Sequence, residues 1–134
     1  MSNAPKPVGL YPLTRRVGDL LFLSGVGPRI PGSGTHDEGV PGLTQDHNGN
    51  FTAFDFEAQA RGVLANVKAI LESEGAKWED LVDITVFLTD MGDYAAMNEI
   101  YMEEFGDHRP ARSAVAVKEL PLGAKIEIEA IAAV

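Results

Sequence analysis

Residues 82–131 read VDITVFLTDMGDYAAMNEIYMEEFGDHRPARSAVAVKELPLGAKIEIEAI and contain a strand, a helix and two further strands in succession. Residues 82–88 alternate apolar with polar side chains and are rich in β-branched residues, which predicts a strand. Its apolar face would consist of Val82, Ile84, Val86 and Leu88. From about Asp93 to Gly106, apolar side chains recur at helical spacing, which predicts a helix. The members of this stripe are Tyr94, Met97, Tyr101 and Phe105.

Strands are also predicted at both ends of the chain. Residues 113–117 and 125–131 alternate in the manner of strands and are separated by a proline- and glycine-containing turn. Residues 11–16 and 20–24 are predicted to pair as a hairpin across a tight turn. The second strand of this hairpin is apolar on both faces, so we expect both of its sides to be covered, by helices or by another subunit.

The middle of the chain combines a long irregular segment with a helix. Residues 26–52 are rich in glycine, proline, aspartate and asparagine, which predicts a loop with a short hairpin at Asn48-Gly49. A helix is predicted from a cap at Asp55 to a stop at Gly75. Its apolar positions are Val63, Leu64, Val67, Ile70 and Leu71.

The resulting order, β-β-α-β-α-β-β, predicts a single α+β domain over residues 1–134. In this domain, two helices would lie on one face of a single mixed sheet. The other sheet face would remain partly apolar, and an exposed apolar patch of that size is unusual on a soluble monomer. We therefore expect the chain to self-associate through this face.

Composition excludes several classes of function. The chain has 134 residues, with 11 Lys and Arg against 20 Asp and Glu, so its formal net charge is −9. Such a charge repels phosphate backbones and anionic lipid surfaces, and we expect neither nucleic acid nor membrane as a partner. The longest strictly apolar run, residues 20–23, is far shorter than the roughly 20 residues that span a bilayer. The first ten residues lack the pattern of a secretory leader, so a cytoplasmic location is expected.

The residue types also limit the chemistry. The absence of cysteine excludes disulfides, thiolate nucleophiles and cysteine-bound metals. His36, His47 and His108 show none of the close helical pairings that zinc hydrolases use. We therefore expect no metal and no cofactor.

Arg112 and Glu127 are the residues best suited to carry chemistry. If the last two strands pair as a hairpin, both side chains reach one rim of the sheet. An arginine binds a carboxylate through two hydrogen bonds, and a carboxyl group whose pKa is raised by burial exchanges protons with water. Ile131 shares the face of Glu127, which indicates partial burial there. From the residues alone, a solvated arginine and a polar strand face remain the alternative.

The segment RPARSAVAVKELPLGAKIEIEAIA, residues 109–132, resembles the C-terminal signature of the Rid (YjgF-type) reactive-intermediate deaminases. The likeness covers nearly the whole chain apart from the long loop. Further agreement is found in FLSG at 22–25, AQA at 58–60, NVKAIL at 66–71, TVFL at 85–88 with Asp90, and Asn98 ahead of Tyr101.

This resemblance implies a chorismate-mutase-like fold and a homotrimer whose clefts between subunits hydrolyse enamines and imines to oxo acids and ammonia. Arg112 would bind the substrate carboxylate, and Glu127 would position or activate the attacking water. The resemblance also places Tyr11, Ser24, the Gly25 backbone and Asn98 along the site. From the residues alone, the preferred interpretation is that Ser24 is a locally bonded strand hydroxyl and that Asn98 is a helix residue beside the apolar stripe.

Two features depart from the family pattern. Ala114 stands where many members carry cysteine, so a thiol has no role here. The extended segment between Gly27 and Phe54 is more similar to 2-aminomuconate deaminases than to the 2-aminoacrylate type. A dicarboxylate substrate requires a second cation, for which Arg29 is the candidate, with a surface arginine of no function as the alternative.

Two other functions remain open at this point. The same cleft would suit a non-catalytic trimer that binds small carboxylates or acts in a chaperone-like way. Ribonuclease activity, sometimes ascribed to the family, fits the charge of −9 poorly, since the visible basic clusters are only Arg15-Arg16 and Arg109 with Arg112.

Overall fold

The computed structural model describes residues 4, 11–29, 43–45, 48 and 51–134, which form seven strands and two α-helices. The elements are β1 (Thr14–Val17), β2 (Leu20–Val26), β3 (Leu43–Gln45), β4 (Phe51–Phe54), α1 (Phe56–Ser73), β5 (Leu81–Leu88), α2 (Tyr94–Phe105), β6 (Ala111–Ala116) and β7 (Ile126–Ala133).

Five of the strands form one mixed sheet in the order β1-β2-β7-β5-β6. The β5–β6 pair is parallel, and the other neighbouring pairs are antiparallel. β3 and β4 form a separate antiparallel pair with Asn48 in a turn between them, which confirms the hairpin predicted there. The predicted α+β architecture and the N-terminal hairpin are likewise confirmed.

The local signals at the helix ends operate as predicted. The Asp55 carboxylate accepts a hydrogen bond from the Ala58 backbone N–H at 3.2 Å and caps α1. Gly75 and Gly106 follow the two helices with φ of 73° and 57°, a region that glycine adopts without steric cost. The helices bury their apolar sides on one face of the sheet, forming a single core. Fully buried members include Leu21, Val63, Val67, Ile70, Ile84, Val86 and Leu88.

Val82 does not occupy the inward position that strict alternation predicts. The pairing of β5 with β7 shifts register between Leu81 and Asp83, so Leu81 enters the core at 1% exposure while Val82 is 43% exposed. The prediction for Val82 was therefore wrong, because an irregularity in the ladder interrupts the two-residue period.

The last two strands do not pair with each other, contrary to the hairpin considered above. The chain runs from β5 through α2 into β6, and this crossover lays β6 parallel to β5 at the edge of the sheet. β7 instead lies between β2 and β5 in the interior of the sheet. Arg112 and Glu127 consequently stand on strands that have β5 between them.

The sheet face away from the helices is uncovered in a single chain. Leu20, Phe22 and Val115 on this face are 40%, 37% and 42% exposed, although all three are large and apolar. Covering of this face by another copy of the chain stays a prediction. Among the residues that the structure describes, neither helix has the length and apolarity needed to cross a bilayer.

Candidate active site

Arg112 projects from the edge strand toward α2. It pairs across the β5–β6 ladder with Ile84, whose side chain is completely buried under the helices. Directly paired residues place their side chains on the same face of a sheet, so Arg112 also points to the helix side.

The Arg112 guanidinium rests on three uncharged side chains of α2. Its Nη2 donates a hydrogen bond to Tyr94 Oη at 3.0 Å, and its Nη1 lies 3.9 Å from Met97 Sδ. Its Cζ lies 4.8 Å from the Tyr101 ring centre and 5.7 Å from that of Tyr94, within the range of cation–π attraction. Within the described part of the chain, no carboxylate forms an ion pair with Arg112. Its charge is therefore available to an anionic ligand.

A cavity of about 340 Å³ opens beside this guanidinium, at the small end of the range typical of ligand sites. Asn98 lines it, as the resemblance implies, and Arg109 adds a second guanidinium. We call this region, defined by Arg112, Tyr94, Asn98 and Tyr101, the arginine half-site. A hydrogen bond with the Asn98 side chain and the charge of Arg112 both lower the pKa of Tyr94.

Glu127 points to the opposite face of the sheet. Its neighbours Ile126 and Ile128 are buried toward the helices, so alternation turns the carboxyl group away from them. Burial raises the pKa of Glu127, and the nearby charge of Glu129 raises it further. A Cβ atom on Gly25 would lie 3.1 Å from the Glu127 carboxyl carbon, so the missing side chain of Gly25 is what lets the carboxyl group approach.

A narrow cavity of about 50 Å³, which has room for water, borders this carboxyl group. Tyr11, Gly25 and Arg29 line it together with Glu127, and we call these four residues the glutamate half-site. Arg29 is only 9% exposed, so the alternative of a surface arginine is wrong. Most of the extended segment between Gly27 and Phe54, on which the likeness to 2-aminomuconate deaminases depends, lies outside the described residues.

Two buried amide side chains of α1 hold the segments that carry the glutamate half-site. Asn66 Nδ2 donates to the backbone oxygens of Gly27, at 3.0 Å, and of Arg29, at 2.7 Å. Gln59 Oε1 accepts from the Lys125 backbone N–H at 2.8 Å, next to the start of β7. These contacts give a physical role to the AQA and NVKAIL motifs.

Within one chain the two half-sites are separate. Arg112 and Glu127 differ by two strands across the sheet and by three residues along β5, which places their α-carbons about 14 Å apart. They also point to opposite faces. The expectation that a hairpin brings both to one rim of a single chain was therefore wrong.

Ser24 belongs to neither half-site. Its hydroxyl donates to the Pro12 backbone oxygen at 2.7 Å, and its side chain lines another cavity with Arg15 and Glu129. This hydrogen bond agrees with the interpretation of Ser24 as a locally bonded strand hydroxyl.

The sequence prediction missed the role of the α2 stripe. Tyr94, Met97 and Tyr101 were assigned as apolar residues of a helix face, but they form the support of Arg112. The available signal was the spacing of Tyr94 and Asn98, which are four apart and so place two polar groups on one side of α2.

The described residues contain no group of three or more His, Asp or Glu side chains placed to hold a metal ion. His108 Nε2 lies 3.0 Å from the Leu81 backbone oxygen, so the ring of His108 forms a hydrogen bond with the backbone at the start of β5. His36 and His47 lie outside the described residues.

Comparison with known proteins identifies the family of this chain. The family described as Endoribonuclease L-PSP matches residues 1–134. A RutC family protein of Pyrococcus horikoshii is 44% identical over 130 residues, covering 97% of this chain and 91% of that protein. The 2-iminobutanoate/2-iminopropanoate deaminase of Salmonella typhimurium is 41% identical over 133 residues, with the same coverage.

A solved structure gives the same result for the fold. The crystal structure of Escherichia coli TdcF with bound serine superposes with a TM-score of 0.82 at 37% identity, covering 98% of this chain and 94% of that one. The Rid-type resemblance and the chorismate-mutase-like fold are both confirmed. The chain therefore belongs to the Endoribonuclease L-PSP family, together with RutC-type proteins and Rid-type deaminases.

Proposed function

We propose that this protein is a hydrolytic deaminase that converts carboxylate-bearing enamines and imines to oxo acids and ammonia. The observation that carries the proposal is an arginine that has no carboxylate partner among the described residues. The same chain also carries Glu127, a half-buried carboxyl group of raised pKa. The relatives support it, because one is named as an iminobutanoate and iminopropanoate deaminase and another is a structure with serine bound.

We place the complete site between two copies of the chain. Because Arg112 and Glu127 point to opposite faces of one sheet, one subunit would supply the arginine half-site and its neighbour the glutamate half-site. The edge position of β6 and the exposed apolar sheet face support this arrangement. We expect a homotrimer of three 14.4 kDa chains, and a sedimentation mass of one chain at micromolar concentration would contradict it.

The reaction follows from these two groups. Arg112 binds the substrate carboxylate and so holds the neighbouring imine carbon beside Glu127. Glu127 accepts a proton from water as the water oxygen bonds to this carbon, and it passes that proton to the imine nitrogen, which gives the carbinolamine. Glu127 then takes the proton of the carbinolamine hydroxyl and returns it to the nitrogen as the carbon–nitrogen bond breaks, so that ammonia leaves, the oxo acid remains and Glu127 is again a carboxylate. An enamine first becomes the imine by moving a proton from nitrogen to carbon.

A carboxyl group of raised pKa suits both directions of this proton transfer, because general acids and bases work best with a pKa near the working pH. Such catalysis contributes typically about 10²- to 10⁴-fold in rate, and positioning of the substrate adds to it. The reaction as written needs no cofactor.

For the substrate, we propose a dicarboxylate such as 2-aminomuconate. The support is Arg29, a largely buried cation that lines the same cavity as Glu127. In a shared cleft Arg112 would bind one carboxylate and Arg29 the other.

The test measures ammonia and oxo-acid release from enzymatically generated 2-aminoacrylate and 2-aminomuconate. Arg112→Ala should lose activity on both. Arg61→Ala, which removes an arginine from exposed ion pairs with Glu57 and Glu103, is the matched control and should retain it. An Arg112→Ala protein as active as wild type would refute the role of Arg112.

Two further results would redirect the proposal. Tight binding of 2-oxobutanoate without turnover of any imine would favour a non-catalytic carboxylate-binding protein. RNA cleavage that depends on Arg112 would favour the activity in the family's description, against the expectation from the net charge of −9.

A further inference from the structure

Tyr94 is the first residue of α2 and contacts Arg112 in two ways. Its hydroxyl oxygen accepts a hydrogen bond from Arg112 Nη2 at 3.0 Å, while its ring lies beside the same guanidinium. The side chain is 36% exposed, so the hydroxyl is accessible from solvent at the arginine half-site.

The donors around this oxygen determine where its proton points. A phenol oxygen has two acceptor positions and one proton. Arg112 donates to the oxygen, and the Asn98 side chain hydrogen-bonds to it from the next turn of α2. Among the described residues, no carboxylate or backbone oxygen accepts the Tyr94 proton. The hydroxyl therefore lies beside the Arg112 guanidinium, where an incoming carboxylate could accept its proton.

We propose that Tyr94 is a substrate-binding residue that orients Arg112 through its oxygen and donates its proton to the carboxylate that Arg112 binds. This inference rests on the proposed function for the identity of the ligand, a small carboxylate. It assigns a third hydrogen-bond donor to the site, next to the two that an arginine supplies to a carboxylate. A third donor strengthens binding of the carboxylate without taking part in proton transfer at the imine.

The experiment compares Tyr94→Phe with wild type in calorimetric binding of 2-oxobutanoate and in imine turnover. Tyr94→Phe keeps the ring beside Arg112 and removes only the hydroxyl. The dissociation constant should rise about tenfold or more, the usual effect of losing a hydrogen bond to a charged group. KM should rise by a similar factor while kcat changes by less than about twofold, because the lost interaction is made equally in the ground and transition states.

Two comparisons separate this role from a structural one. Ser73→Ala removes a hydroxyl at the far end of α1 whose one hydrogen bond among the described residues goes to the Ile70 backbone oxygen, and it should leave binding unchanged. In an Arg112→Ala background, Tyr94→Phe should weaken binding by much less than in wild type, because the two groups bind the same carboxylate. A merely structural effect would instead lower the thermal midpoint and persist in both backgrounds.

The outcomes also separate this inference from the proposed function. If wild type binds 2-oxobutanoate but Tyr94→Phe binds it equally well, the inference fails and the deaminase proposal stands. If Tyr94→Phe weakens binding but wild type hydrolyses no imine, the deaminase proposal fails and the inference stands. Absence of 2-oxobutanoate binding by wild type at millimolar concentration would also overturn the inference, whatever the turnover.

Discussion

Mixing two inactive variants tests where the catalytic site is assembled. Arg112→Ala removes the arginine half-site and leaves the glutamate half-site intact, and Glu127→Gln does the reverse. Within one chain the two side chains point to opposite sheet faces, so neither variant can be repaired by its own subunit. If a site takes one half from each of two neighbouring copies, a mixed trimer contains clefts in which both halves are intact.

The expected recovery follows from random assembly. In an equal mixture, a working cleft needs a Glu127→Gln chain on its arginine side and an Arg112→Ala chain on its glutamate side. Each condition holds for half of the subunits, so about one quarter of all clefts should be complete in a closed trimer. Each variant alone should be at least about 100-fold slower than wild type, since general acid–base catalysis or substrate positioning is lost.

The two variants are unfolded together, refolded, and assayed for ammonia release from enzymatically generated 2-aminoacrylate. Each variant refolded alone, and wild type taken through the same cycle, serve as controls. A mixture no more active than the mean of the two separate variants would show that the half-sites do not combine across subunits. That result would remove the basis for a site between copies.

Three other predictions concern stability and the glutamate half-site. Gly25→Ala should reduce kcat by about tenfold or more, because its methyl group would displace the Glu127 carboxyl group. Steady-state kinetics checks this, and an unchanged kcat would contradict it. Because the folded protein raises the pKa of Glu127, it favours the protonated acid. Any stability from this group is thus present below the ordinary pKa of 4.5 and lost as the pH rises through the folded-state value. Glu127→Gln should therefore raise the free energy of unfolding at pH 7, with the gain shrinking below pH 4.5; urea titrations at pH 7 and pH 4 that show equal effects would disprove this. Tyr101→Phe removes a buried hydroxyl that has no hydrogen-bond partner among the described residues, so the free energy of unfolding in urea titrations should rise by about 1 kcal/mol. A clear decrease would mean that this hydroxyl is hydrogen-bonded.

The positions of the helices and of most strands could be predicted from the chain alone. The Asp55 cap, the stops at Gly75 and Gly106 and the alternation through residues 84–88 depend on neighbours a few positions away. Such signals depend only on residues close in sequence, so they can be interpreted without knowing how the rest of the molecule folds. The family resemblance identified Arg112, Asn98 and Glu127 as site candidates for a different reason, since it compares whole motifs.

The pairing of the strands and the contacts of the site residues could not be predicted from local sequence signals. Whether β7 pairs with β6 or enters the sheet between β2 and β5 depends on contacts between residues far apart in sequence, as does the register shift that exposes Val82. The burial of Arg29 and the contact of the Tyr94 hydroxyl with Arg112 likewise exist only once separate segments meet. Local periodicity states which face of an element is apolar, but the packing of distant segments decides what that face touches.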